Sequence, residues 1–203
     1  MQRGKNDAEQ TRMAILDAAV REFSERGITG TTLERISRAA GVTRGAFYWH
    51  FKDKIDLLRA LVEQSAYPQQ DMMAAAAAAG HDDPFGLLES AAHEVLTLFE
   101  ADERRQRLFR IMTACNPGSE EAEWFRQADI DMFRLVSQIT AHARQQGTLT
   151  DEFTPDEAAG IMMITMKGLL SEWLRTNKAF SLGEFGKKVI RKDLQFLRKR
   201  PED

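Results

Sequence analysis

The chain has 203 residues, 43% hydrophobic and 29% charged, with a net charge of −3, the balance of an ordinary globular protein with room for one large domain or two small ones. No run of about 18 apolar residues is present, so no transmembrane helix is expected, and the polar start MQRGKNDAEQTR lacks the apolar stretch of a secretory signal. A single cysteine, Cys115, excludes an internal disulfide, and four scattered histidines offer no metal-ligand spacing. The expected compartment is the cytoplasm, with no cofactor, no metal and no membrane partner.

Apolar periodicity is helical along the whole chain, and Gly and Pro fall between the periodic segments. The pattern predicts an all-α protein of about nine helices, near 7–26, 32–39, 43–50, 53–79, 84–101, 103–114, 119–146, 155–177 and 182–198. Pro68 is expected to kink or break the fourth. Four helix starts carry a capping residue with an acid three positions on: Asn6 with Glu9, Thr31 with Glu34, Thr154 with Glu157, and Ser181 with Glu184. Pro84 and Pro155 stand in first turns, where a missing N–H is harmless. The alanine run before Gly80 reads as a plain helical connector.

The short first helices suggest a small head, residues 1–52, on a larger helical body, residues 53–203. Up to Lys54 the chain holds ten Lys/Arg against seven Asp/Glu, and beyond it eighteen against twenty-four. The basic end is only modestly basic, so a nucleic-acid reading has to rest on placement.

That placement lies in TTLERISRAAGVTRGAFYWHF, residues 31–51. A short helix ends at Ala40, a tight turn takes Gly41, and Thr43 caps a second helix. Leu33 and Ile36 face inward from the first, Val42 and Phe47 from the second. This is the spacing of a helix-turn-helix, whose second helix enters the DNA major groove. Phe47 and Phe51 share the packing face, whereas Tyr48 shares a face with Arg44. Arg44 is placed to grip guanine O6 and N7, and Gly45 lets the backbone come close to DNA. Tyr48 offers a hydroxyl to phosphate, Trp49 and His50 fall between the faces, and Lys54 meets the phosphate backbone at the next helix start.

The stretch TTLERISRAAGVTRGAFYWHFKDKIDLL resembles the DNA-binding head of the TetR family of bacterial transcriptional repressors, and VTRGAFYWHFKDK resembles its AcrR-like members that repress multidrug efflux pumps. The resemblance is close over residues 8–62 and persists beyond them only as a helix pattern. It implies base contacts from Arg44 and Gly45, and phosphate contacts from Thr32, Thr43, Tyr48, His50 and Lys54. Arg3 and Lys5 match a basic arm found in some members.

One short helix makes few base contacts, so two heads on a symmetric dimer are needed to read a palindrome. AAGIMMITMKGLLSEWLRT is apolar on nearly all sides, and Ile190, Leu194 and Leu197 give the last helix an apolar stripe. The resemblance puts a four-helix dimer interface here, with Leu169, Leu170, Trp173, Leu194 and Leu197 as its candidates. The middle helices are rich in Met, Phe and Trp, which serve either an ordinary core or an adaptable pocket. With the family's ligand domain in view, His93, Phe99, Phe109, Met112, Thr113, Gln127, Phe133 and Met166 are candidates for binding a hydrophobic inducer. Asn116, Asp129, Arg107 and Arg110 are further polar candidates, and Cys115 reads as a buried thiol rather than a redox sensor.

No G-x-S-x-G, P-loop, G-x-G-x-x-G or H-E-x-x-H motif occurs, so an enzyme is not expected. The expected function is a dimeric, ligand-released repressor on a palindromic operator, controlling a multidrug efflux system. The alternatives are a regulator of the same type on a metabolic operon, and a helical small-molecule-binding protein without a DNA role.

Overall fold

A computed structural model describes residues 2–64 and 70–199, with side chains from residue 7 onward. Pro68 and the side chains of Arg3 and Lys5 lie outside the described residues. The chain forms α1 (Gln2–Arg26), α2 (Leu33–Ala39), α3 (Arg44–His50), α4 (Lys54–Gln64), α5 (Gln70–Ala79), α6 (Pro84–Ala101), α7 (Glu103–Thr113), α8 (Glu120–Gln145) and α9 (Pro155–Arg175). A π turn over Leu182–Gly186 leads into α10 (Lys187–Leu197). The only β feature among the described residues is one antiparallel bridge, Leu149 to Arg198.

Most helix starts lie where the caps predict. Thr154 and Glu157 form a complete capping box, Ser181 accepts from the Glu184 N–H, and Asp83 accepts from Gly86 ahead of Pro84. Two expectations need correction. Helix α1 already begins at Gln2, so Asn6 does not start it. The cap of α2 is Thr32, which accepts from the Arg35 N–H; Thr31 is instead buried, its hydroxyl donating to the carbonyls of Glu22 and Gly27.

The chain packs as two units, one of residues 1–66 with 103–127, the other of residues 67–102 with 128–203. In the first, α1, α2, α3 and α4 surround Ile15, Leu16, Phe23, Ile36, Phe47, Phe51, Leu57, Leu58 and Leu61. Leu108 and Ile111 of α7 and Phe125 of α8 belong to the same buried cluster, and Arg104 pairs with Asp17 of α1 at 3.3 Å. The head's core is therefore not closed within residues 1–52; α4, α7 and the first turns of α8 complete it.

The second unit packs α6 against α10, the π turn and α5, and α9 against α10. Its buried side chains include Phe85, Leu88, Leu96, Phe99, Ile139, Trp173, Ile190 and Leu194. The Glu100 carboxylate accepts from the Leu182 and Gly183 N–H groups at 3.0 and 2.8 Å, satisfying the donors that open the π turn.

Candidate nucleic-acid interface

The turn between α2 and α3 ends α2 in a Schellman arrangement, Gly41 N–H donating to Arg38 and Val42 N–H to Ser37. Gly41 has φ +70°, a left-handed conformation that side chains other than glycine rarely adopt. Leu33 and Val42 both turn in to pack on the head's core. Thr43 accepts from the Ala46 N–H and so fixes the start of α3. Phe47 and Phe51 are buried, their rings 6.0 Å apart; they seat one face of α3 and commit the other to solvent.

The exposed face carries the predicted DNA contacts. Arg44 is exposed and its guanidinium lies 5.6 Å from the Tyr48 ring centroid, so the two share a face. An added Cβ at Gly45 meets nothing closer than the Thr43 hydroxyl at 4.0 Å, leaving open space over the backbone. Tyr48 is 45% exposed and Trp49 73% exposed; Trp49 therefore points outward and does not pack on the head. His50 is half-buried, edge-on to Trp49 at 4.5 Å. Burial, then the nearby Arg12 guanidinium, hold its pKa below 6.5 against the opposing pull of Glu9, so near neutral pH its ring is an uncharged donor and acceptor. Thr32 and Thr43 use their oxygens as acceptors for caps, which leaves each hydroxyl proton for an outside acceptor.

Lys54 is engaged within the first unit. Its ammonium donates to the Ile28 carbonyl at 3.1 Å and pairs with Glu121 at 3.6 Å, joining α4 to the α1–α2 loop and to the start of α8. Sequence reading missed this because Glu121 is distant in the chain and belongs to an acid-rich helix start that looks like plain dipole compensation. It also missed Arg12, whose guanidinium lies 5.4 Å from the Phe51 ring centroid.

The ligand candidates fall in both units. Phe109 and Met112 are half-buried on α7, where Met112 packs against the head's core, and Thr113 is exposed with its hydroxyl bonded to the Phe109 and Arg110 carbonyls. Gln127 is exposed. In the second unit, Phe99 is buried edge-on to Trp173, His93 faces the Lys187 carbonyl and Glu89, and Phe133 and Met166 are half-buried. A cavity of about 340 Å³ in the first unit is lined by Arg26, Ile28, Cys115, Asn116 and Ser119 with their neighbours, and none of the eight candidates lines it. Burial and Glu121 push the Cys115 thiol up from its ordinary value, which disfavours the reactive thiolate. Arg107 is exposed and pairs with Glu103, Arg110 is exposed, Asn116 donates to the Thr29 hydroxyl, and Asp129 pairs with Lys167.

The five interface candidates lie inside their own unit. Leu169, Leu170, Trp173, Leu194 and Leu197 are all buried within the single chain, so they hold α9 and α10 in their own unit and offer little surface to a partner. The exposed apolar residues of this region are Ile164 at 74%, Phe196 at 57% and Phe185 at 51%. Among the described residues, no group of three or more His, Cys, Asp or Glu is placed to hold a metal, and no helix is long and apolar enough to cross a membrane.

This geometry has close parallels. Residues 15–61 match the model of the bacterial regulatory proteins of the tetR family. The transcriptional repressor BepR of Brucella suis is 37% identical over 202 residues, covering 98% of this chain and 97% of BepR. The transcriptional regulator AcrR of Shigella flexneri is 34% identical over 182 residues, covering 88% of this chain and 85% of its own. Among solved structures, a complex of SmeT with triclosan superposes with a TM-score of 0.82 at 29% identity, covering 95% of this chain and 98% of the other; SmeT is the repressor of the Stenotrophomonas maltophilia efflux pump SmeDEF. These relatives are transcriptional regulators, not enzymes. With a helix-turn-helix seated on its aromatic core and a relative of this likeness over nearly its whole length, the chain is a member of the TetR family of bacterial regulatory proteins.

Proposed function

We propose that the protein is a dimeric repressor of a multidrug efflux system, released from a palindromic operator by a hydrophobic small molecule. The observation that carries the reading is the division of α3: Phe47 and Phe51 are buried while Arg44, Tyr48 and Trp49 remain outside, with open space over Gly45. Arg44 and Gly45 read bases; Thr32, Thr43, Tyr48, Trp49 and His50 grip the flanking backbone. Residues 1–52 supply these contacts, and residues 53–203 supply ligand binding and dimerisation.

Two copies meet through the outer faces of α9 and α10, with Ile164 and Phe196 as apolar contacts. The inducer reading draws support from half-buried apolar side chains on α8 and α9, Phe133 and Met166 among them, and from the triclosan complex of SmeT. Helix α7 bears the candidates Phe109, Met112 and Thr113, while its Leu108 and Ile111 close the core beneath the helix-turn-helix. A ligand that displaces α7 therefore acts on the packing of α1 directly. Its effect on DNA equals its differential affinity for the two states, typically ~1–3 kcal/mol.

The test is fluorescence polarisation of a labelled duplex carrying a palindrome selected by the protein from a random pool, with triclosan then titrated in. Saturable binding at fixed salt, reversed by the compound, is expected. Specific binding that no pump substrate relieves, even when that compound binds the protein, defeats the induction model.

A further inference from the structure

We infer that Arg12, on α1, is a phosphate contact of the DNA complex, placed beyond the C-terminal end of the recognition helix; the inference rests on the DNA-binding reading of α3. The aromatic row carries a guanidinium at each end. Arg44 lies over Tyr48 at 5.6 Å, and Arg12 lies over Phe51 at 5.4 Å.

Four other cations of the head are engaged, whereas Arg21 and Lys52 are exposed on its surface. Arg26 and Arg35 both pair with Glu22, Arg38 pairs with Glu34, and Lys54 holds Ile28 and Glu121. Arg12 and Arg44 have no carboxylate within ion-pair distance among the described residues. Arg12 is also half-buried, its stem already ordered against the head before any DNA arrives. A guanidinium stacked on a ring keeps its donor fork free, and an ordered one loses less entropy on binding an anion.

His50 makes the location more specific. Its ring sits 6.2 Å from that of Phe51 and 4.5 Å from that of Trp49, and Arg12 acts on it electrostatically from α1, with Glu9 acting in the opposite sense. A charged fork beside a neutral N–H donor suits one phosphate: the fork takes two oxygens and the imidazole a third. Arg12 thus does at the end of α3 what Lys54, turned inward, does not do at the start of α4.

The experiment is a salt series of duplex affinity for the full-length protein and its Arg12→Gln, Arg12→Met, Arg21→Gln and Arg44→Ala variants, with melting temperatures alongside. Arg21 is exposed on the same helix and controls for general charge loss. Each phosphate contact contributes roughly 0.9 to the slope of log affinity against log salt. Arg12→Gln is expected to flatten that slope by about 0.9 per head, weakening preferred and random duplexes alike, while Arg21→Gln leaves it unchanged. Arg12→Met keeps the stem over Phe51 and should give the same slope change without loosening the head. An unchanged slope in a variant that melts like the wild type overturns the inference, as does an equal change in Arg21→Gln. Failure of both Arg12 variants to fold marks the residue as structural and equally rejects it. If Arg44→Ala loses sequence preference while the Arg12 slope is unmoved, only this inference falls; if the wild type has no sequence preference, the DNA reading itself fails.

Discussion

Gly45→Ala separates folding from DNA binding more cleanly than any other single change in this head. The residue is the second of α3 (Arg44–His50), and a Cβ built on it has only the Thr43 hydroxyl within 4.0 Å. The methyl group therefore meets no steric resistance in the free protein. Alanine is favoured over glycine in a helix by up to ~1 kcal/mol, less in the first turn, so stability should hold or rise, by at most about 2–4 °C in melting temperature for a chain of this size. On DNA the same methyl stands where the backbone must approach the base edges. Pushing α3 out of the groove weakens the bidentate grip of Arg44, worth about 1–3 kcal/mol or roughly 5- to 150-fold in affinity. Thermal melting and polarisation on one duplex, at one salt concentration, measure both quantities. A variant that melts at or above the wild type and binds equally tightly would falsify the placement of this backbone against DNA.

Three other outcomes follow from the geometry. Lys54→Met should cost about 1–2 kcal/mol of stability, because it leaves the Ile28 carbonyl and the Glu121 carboxylate without their cation; a normal melt with a salt slope reduced by about one per head instead assigns the ammonium to phosphate. Ile164→Asp exchanges a 74%-exposed apolar side chain for a charge at the proposed subunit contact. Sedimentation should show monomer at concentrations where the wild type is dimeric, and an intact dimer removes Ile164 from the interface. The third concerns pH. His50 has a pKa lowered below 6.5 in the folded protein, so the unfolded chain takes up its proton first as pH falls, and this residue's contribution to stability is lost below about pH 6.5. NMR titration of His50 should report a value under that of an unstructured histidine, and Arg12→Gln should raise it; an unmoved titration contradicts the assigned cause.

The elements legible in the sequence were those whose signals are local. The Thr154–Glu157 box, Asp83 before Pro84 and the Gly41 turn each involve neighbours within a few residues, and each lies where the spacing predicts it. The face of α3 was legible for the same reason, since four-residue periodicity alone separates Phe47 and Phe51 from Tyr48. Thr31 and Thr32 were confused because either hydroxyl fits a cap, and only the long-range acceptors at Glu22 and Gly27 draw the first one inward. The partners of Lys54 and of α7 were not legible. An amphipathic stripe such as Leu108 and Ile111 announces that a helix packs, not what it packs upon. The leucines of α9 and α10 illustrate the same limit, because a helix apolar on nearly all sides does not say which side meets its own chain and which a second copy.

Sequence selection from a random duplex pool, with the ligand-free dimer at a stated salt concentration, tests the central claim most directly. The account predicts enrichment of a palindrome whose half-sites lie one helical turn apart or a multiple of it, and loss of preference at one base pair per half-site in Arg44→Ala. An intact dimer that enriches no sequence would contradict it.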